Sequence, residues 1–467
     1  MLNQKIDAYF AEHRDEIVED VKTLCRIRSV REEAKEGMPY GEGPYEALVA
    51  AMKMAGDMGF ATRNYDGYVC TADYNDKETE LAVLAHLDVV HEGTDWTVTE
   101  PFNPIEKEGR LYGRGTSDNK GPAVMALHAM KALREIGVEL SRNCRVILGT
   151  DEECGSSDLR HYFSVEKAPP ASFTPDAYYP VVNVEKGGLS SDFTAEFAED
   201  KALPRVVSLK GGHTENIVAQ YAEVVIEGMP LAEVEQYCKK SQEKTRAAFT
   251  AREKDGRVIV SVKGLSAHAS TPMEGINAVL AAVDMVCGMP MAKSEGFACL
   301  CGVNQVFPFG DGYGVAAGVA QSDEISGKLT INIGIFDYSL TRLYGNIDSR
   351  CPVCANEENM SLVLDGKLRQ HGIQLAKTKM RAPHYTPEDT KLVKTLLSVY
   401  EEVSGEKGEC MSMGGGTYVH NIEGGVAFGC CMRGVEYNEH GPNESAVIDH
   451  LLMGGRMFAR AIAEICK

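Results

Sequence analysis

No stretch of the 467 residues approaches the roughly 18 uninterrupted apolar residues that a membrane-spanning helix requires. The N-terminus also lacks the basic start and apolar core of a secretory signal peptide. Instead Ile6, Phe10, Ile17, Val21 and Leu24 recur at helical spacing. A cytoplasmic location, with no membrane partner, is the expectation. Positive charge is scarce: 48 Lys and Arg stand against 68 Asp and Glu, a formal net charge of -20. That balance argues against nucleic acid or an anionic membrane as partner and suits a site that attracts cations. A disulfide framework is lacking too, because 14 cysteines scattered over a chain this long read as reduced thiols. Cys351-Pro352-Val353-Cys354 has the spacing of a metal or redox pair. No second pair stands at zinc-ribbon distance, and the other cysteines read as small buried hydrophobes. Tandem repeats and low-complexity tracts are absent.

What is present is a hydrophobic content of 44%, ordinary for a globular protein, on a chain long enough for two domains. The first part alternates helix and strand. Helices are expected over Pro44–Met58, Pro122–Ile136 and Gly155–Phe163, with buried strands at Leu81–His86 and Arg145–Thr150. Such alternation predicts a mixed, mostly parallel α/β sheet flanked by helices, with its site beyond the carboxyl ends of the strands. The texture changes over residues 187–381. Strands at Val258–Val262, Leu329–Phe336 and Leu340–Ile347 alternate with amphipathic helices at Leu231–Phe249, Ile276–Val286 and Glu358–His371. This reads as a large α+β domain inserted into the first. The chain then returns, with a helix at Asp389–Val403, the run Gly414-Gly415-Gly416-Thr417, a strand at Gly425–Phe428 and a closing helix from Ser445 to Ile465. The expected organisation is a discontinuous catalytic domain (1–186 and 382–467) around a lid domain (187–381).

Three segments carry the chemistry. His86 and Asp88 follow the apolar run Leu81–Ala85, and an i, i+2 spacing on a strand puts both on one face. A metal-binding imidazole needs a partner on its second nitrogen, and Asp88 is close enough to serve. Asp118 lies in Gly113-Arg114-Gly115-Thr116-Ser117-Asp118-Asn119-Lys120-Gly121, where glycines let the backbone fold around an ion. Glu152 and Glu153 end the strand-like Arg145–Asp151 segment. Extended neighbours face opposite ways, so both can serve one site only if the chain turns, which Gly155 makes easy. Singly, a His-x-Asp, a Glu-Glu pair and a Gly-Arg-Gly turn are each commonplace. Their occurrence in this order, each after a hydrophobic segment, is not.

This order of segments, over nearly the whole chain, resembles the di-zinc metallopeptidases that include aminoacylases, Gly-Xaa carboxypeptidases and dipeptidases. It is most similar to PepV-type bacterial dipeptidases, which cleave Xaa-His and other dipeptides. The resemblance implies metal ligands His86, Asp118 (shared by both ions), Glu153, Asp176 and His440, with Asp88 the orienting acid and Glu152 the general base. It implies two divalent ions, zinc first, with manganese or cobalt also compatible with nitrogen and carboxylate ligands. In the inserted domain it implies that His268 polarises the scissile carbonyl with help from Asn216. Arg350 would grip the substrate carboxylate, with the backbone around Gly415 and Gly416 supplying further donors. His213 and His384 match no role and read as packing residues. The insertion has the length of the type in which one chain supplies both halves of the site, so a monomer acting on a small peptide is expected. The rival within the same chemistry is an N-acyl-amino-acid deacylase or carboxypeptidase.

Overall fold

The computed structural model describes residues 2–199 and 201–467. The chain divides into two compact units. The first comprises Met1–Val184, Tyr385–Met411 and Gly416–Lys467, and the second Glu185–His384 with Ser412–Gly415. Among the described residues no helix is long and apolar enough to cross a membrane.

The first unit is built on a mixed sheet whose strands run in the order Ala61–Tyr65, Val69–Asp73, Asn143–Gly149, Thr79–His86, Ala171–Thr174, Val426–Ala427, Val181–Glu185. The middle four are parallel neighbours, and the flanking pairs are antiparallel. Thr79–His86 reads as a continuous apolar run because its inner residues, Leu81 to Ala85, are wholly buried, as a strand covered on both faces must be. The helices Lys120–Ile136 and Ile448–Ile465 cover it with Val124, Leu127, Leu133, Met457, Phe458 and Ile462 in one core. The N-terminal helical stretch is broken into Leu2–Glu12 and Arg14–Cys25, which bury Ile6, Phe10, Ile17, Val21 and Leu24. The closing helix is shorter than its pattern suggests. Ser445–Val447 is a strand paired antiparallel with Arg110–Tyr112, and the helix begins only at Ile448.

The second unit is an antiparallel sheet in the order Ala248–Lys254, Arg257–Lys263, Tyr221–Glu227, Arg205–Gly211, Thr330–Tyr338, Arg342–Cys351, Gly187–Glu196, Gln374–Arg381. The helices Leu231–Thr245, Ala278–Cys287, Glu295–Val306 and Ser361–Arg369 belong with it, and their apolar residues share one core with the sheet. One sequence expectation needs correction here, and one helix was not expected at all. The helix from Leu231 stops at Thr245, where Arg246 takes a left-handed φ of 64°, and Ala248–Lys254 is an edge strand. The Glu295–Val306 helix carried too little periodic contrast to be found. Among the described residues every cysteine is free. Cys351 is buried and Cys354 exposed, and neither joins a group arranged to hold a metal.

Candidate metal centre and catalytic site

Three neighbouring parallel strands deliver three parts of the site from their carboxyl ends. Thr79–His86 ends on His86, Asn143–Gly149 leads to Glu152 and Glu153, and Ala171–Thr174 leads to Asp176. The required turn after the second strand is a single 3-10 turn, Glu152–Cys154, closed by Gly155 at φ 106°. Asp118 arrives on the loop that opens the Lys120–Ile136 helix. His440, with φ 62°, precedes the Ser445–Val447 strand. Pairing of that strand with Arg110–Tyr112 sets the His440 loop beside the Asp118 loop.

Asp118 occupies the middle. Its Oδ1 lies 3.0 Å from His86 Nε2, and its Oδ2 lies 2.9 Å from His440 Nε2. Asp176 Oδ2 is 3.7 Å from His86 Nε2, and Glu153 Oε1 is 3.3 Å from His440 Nε2. Two groups with metal-ligand spacing result, His86–Asp118–Asp176 and Asp118–Glu153–His440, with Asp118 common to both. Burial pulls the His86 imidazole down, but Asp118, Asp176 and Asp88 outweigh it and raise it well above its ordinary range. Asp118 and Glu153 push His440 up to about 11. Burial also acts against the charge of Asp118, yet the two imidazoles hold its carboxyl well below the usual range. Burial first, and neighbouring carboxylates second, raise Glu152 strongly and Glu153 to about 7. Four carboxylates crowd around two imidazoles, a set in which bound cations would favour the charged carboxylates and the neutral imidazoles.

The residues fit a pair of divalent ions on a further observation. His86 Nε2 and Glu153 Oε1 are buried with no hydrogen-bond partner, although both sit among the other donors. Buried polar atoms are normally paired, and both of these stand open to an ion. The nitrogen and carboxylate set suits zinc, manganese or cobalt.

Asp88 meets His86 through both its main chain and its side chain. His86 Nδ1 donates to the Asp88 backbone carbonyl at 3.0 Å, and the Asp88 carboxylate is 3.5 Å away. That carboxylate also accepts the backbone N–H of Glu152 and of Glu153, each at 3.1 Å. The main chain therefore fixes the imidazole tautomer, and the Asp88 side chain fixes the Glu152–Glu153 turn. Sequence reasoning missed several supports. Asn119 Nδ2 donates to Asp176 Oδ1 at 3.1 Å and to the Pro175 carbonyl at 2.9 Å. Buried Asp158 accepts the N–H of Thr150, Asp151 and Leu159 and the Tyr418 hydroxyl, and the Tyr418 ring stands edge-on to His86. Glu444 lay within the motif around His440 and had no signal of its own beyond that position.

In the second unit, Asn216 and His268 lie on adjacent segments, joined by the Ile217–His268 bridge and by Ala269 N–H to the Asn216 carbonyl at 2.9 Å. His268 Nδ1 receives the Ser270 hydroxyl at 2.6 Å and the Ser270 N–H at 3.2 Å. The neutral ring then carries its proton on Nε2. Arg350 is forked onto Asp348, Nε to Oδ1 and a terminal nitrogen to Oδ2, both at 2.9 Å, and donates to the Gly414 carbonyl at 2.7 Å. Gly414 packs so closely on Ser270 that an added Cβ would come within 2.8 Å of the serine Cβ. His268, Ser270, Gly414 and Arg350 thus form one cluster, with Gly415 next in the chain. Gly416 belongs to the first unit.

The chain is similar to known proteins over nearly its whole length. The chain is 34% identical over 461 residues to "Putative dipeptidase YtjP" of Bacillus subtilis (strain 168), covering 97% of this chain and 98% of that protein. It is 29% identical over 463 residues to a Staphylococcus epidermidis protein of like description, covering 97% and 98%. Among solved structures, human carnosine dipeptidase 1 superposes with a TM-score of 0.60 at 15% identity, covering 100% of this chain and 99% of that one. Aminoacylhistidine dipeptidase from Vibrio alginolyticus gives 0.54 at 14% identity, covering 96% of each. At those identities the likeness establishes the fold. The profile of peptidase family M20/M25/M40 matches residues 82–464, which span every first-unit residue of the site, and the chain is a peptide hydrolase belonging to that family.

Proposed function

We propose that the protein is a metal-dependent dipeptidase acting on dipeptides with a free C-terminal carboxylate. The observation that carries this reading is Asp118, one carboxylate with an oxygen on each of two imidazoles, beside the anchored Glu152 turn. His86, Asp118 and Asp176 would hold one ion, and Asp118, Glu153 and His440 the other. Zinc is the first choice, with manganese and cobalt next. Two such ions supply Lewis acidity to the scissile carbonyl and to the attacking water.

The remaining work falls to the chain's own groups. The Asp88 carboxylate holds the Glu152 main chain, so the Glu152 carboxylate needs little reorganisation to act. Glu152 takes the proton of the attacking water and hands it to the departing amine nitrogen. His268, protonated on Nε2 because Ser270 occupies Nδ1, donates to the carbonyl oxygen as negative charge develops there. Asn216 assists from the neighbouring segment. Arg350, its plane fixed by Asp348, pairs with the substrate's terminal carboxylate, and the Gly415 and Gly416 backbone adds N–H donors. Such a clamp rejects longer peptides, whose chain continues where the carboxylate belongs. The protein works as a monomer on this reading, the lid residues serving their own chain.

The deciding experiment is a hydrolysis panel of dipeptides, tripeptides and N-acetyl amino acids with added zinc or manganese. Dipeptides should be cleaved in preference to the other two classes. Preference for N-acetyl amino acids would instead make the protein a deacylase.

A further inference from the structure

Glu444 is completely buried, four residues after His440, and belongs to neither group of candidate ligands. Its carboxylate is surrounded by donors from the turn that carries Asp118. The Gly115 N–H lies 3.0 Å from both oxygens. The N–H groups of Ser117 and Asp118 reach Oε1 at 3.0 and 3.1 Å, and the Ser117 hydroxyl reaches it at 3.2 Å. Arg114, itself buried, donates to Oε2 at 2.7 Å. In the main chain, Gly113 N–H adds a bond to the Glu444 carbonyl at 3.0 Å.

Two chemical consequences follow. A carboxylate this close to two candidate ligands would compete for an ion if its oxygens were open, and here donors occupy both. Charge-assisted bonds of this kind are roughly twice as strong as neutral ones, and several acting together make a turn rigid. The turn they hold contains Asp118, and the loop that supplies the carboxylate contains His440. From these contacts we infer that Glu444 is a positioning residue for cation binding, fixing Asp118 against His440 so that their 2.9 Å approach is built in before an ion arrives. Without the clasp, two loops distant in sequence would have to be ordered by the ion itself, at a cost in affinity. The inference rests on the two-ion reading above. It adds that the ion shared by Asp118, Glu153 and His440 depends on a residue that does not touch it.

The test titrates manganese or zinc alone into metal-free wild-type protein and into Glu444→Gln, followed by calorimetry, with circular dichroism and thermal melting to establish the fold. Glu444→Gln puts an amide NH2 among the N–H donors. It should weaken the ion of Asp118, Glu153 and His440 by about tenfold or more, and the other ion, which shares Asp118 but not the His440 loop, by clearly less. In a His440→Ala background the same substitution should cost less than about threefold further, because the ion it positions is already lost. A purely structural brace would lower the melting temperature and leave both affinities unchanged, which would overturn the inference. If Glu444→Gln does not fold, Glu444→Asp, which keeps the charge but draws it back by one methylene, is judged by the same affinities. A wild type that binds no ion overturns this inference and the metal reading together. A wild type that binds two, beside a folded variant that binds both as tightly, overturns this one alone.

Discussion

Asp88 and Glu152 are joined through the main chain: Asp88 Oδ1 accepts the Glu152 N–H at 3.1 Å, while Oδ2 accepts the next N–H, that of Glu153, at the same distance. The carboxylate therefore sets the turn on which both glutamates stand. Asp88→Asn keeps one acceptor and points an amide at the other N–H. Losing one charge-assisted bond costs about 1.5–3 kcal/mol, so kcat should fall about 10–100-fold. Metal content should be largely retained. An unchanged kcat in Asp88→Asn would show that the turn holds itself.

Glu152→Gln removes a proton acceptor and little else. General-base catalysis is worth about 10²–10⁴-fold, and kcat should fall by that much with KM nearly unchanged and both ions bound. Steady-state kinetics together with elemental analysis provide the check. Near-normal kcat would assign the base to another group.

Elemental analysis of the purified protein should find two divalent ions per chain, and His440→Ala should lose one of them. Removal by a chelator should lower the melting temperature, since a ligand at 100 times its Kd stabilises the folded state by about 2.7 kcal/mol. Re-addition of zinc or manganese should restore both melting temperature and activity. Full occupancy in His440→Ala would remove that residue from the ligand set.

Arg350 lends itself to a substrate comparison. With free dipeptides, Arg350→Ala should raise KM and lower kcat/KM by the equivalent of about 1.5–3 kcal/mol, the worth of hydrogen bonds to a charged group. With an amidated dipeptide, whose neutral end offers the guanidinium no charge and should make it a poor substrate of the wild type, the substitution should change little. Asp348→Asn should show a weaker version of the same pattern, because it loosens the guanidinium plane without removing the charge. Equal losses on free and amidated substrates would mean that Arg350 does not read the carboxylate.

Asp158 carries a pH signature. Burial pushes its carboxyl up to about 7, against the hydrogen bonds that favour its charged form. An unfolded aspartate titrates near 3.9, so between about pH 4 and 7 the folded chain holds a proton that the unfolded chain releases. This group's contribution to stability is complete below about pH 4 and is lost as pH rises through 7, by an amount on the order of 4 kcal/mol. The melting temperature of the wild type, measured relative to Asp158→Asn, should therefore fall between pH 5 and pH 8. A flat difference across that window would mean that the four donors around Asp158 outweigh its burial.

Local sequence carried a large share of the site. The apolar run before His86, the glycines around Asp118 and the glycine after Glu153 each force a local geometry, and those geometries depend on near neighbours alone. The α/β alternation of the first part was legible for the same reason, since a strand buried on both faces must be apolar throughout. The inserted domain was harder. Its Leu231 helix was extended into what is an edge strand, because polar residues at an exposed edge alternate too weakly to mark the change. Ser445–Val447 was merged into the following helix because a three-residue strand has no period of its own.

Near neighbours along the chain settle which residue types stand at the mouths of which elements, because turns, strand ends and helix starts are set within a few residues. What those residues do to one another depends on contacts made across the fold. Asp118 and His440 are 322 positions apart and meet because a three-residue strand pairs with Arg110–Tyr112. The Asp88 carboxylate, 3.5 Å from His86 Nδ1, also holds a turn because the Glu152 and Glu153 N–H groups point at it, while the Asp88 carbonyl accepts from the same imidazole nitrogen. Glu444, one glutamate among many in an acidic chain, becomes a clasp because five donors of the Asp118 turn close around it. A hydrogen bond depends on distance and direction in space, and neither can be read along the chain once the partners are far apart in it.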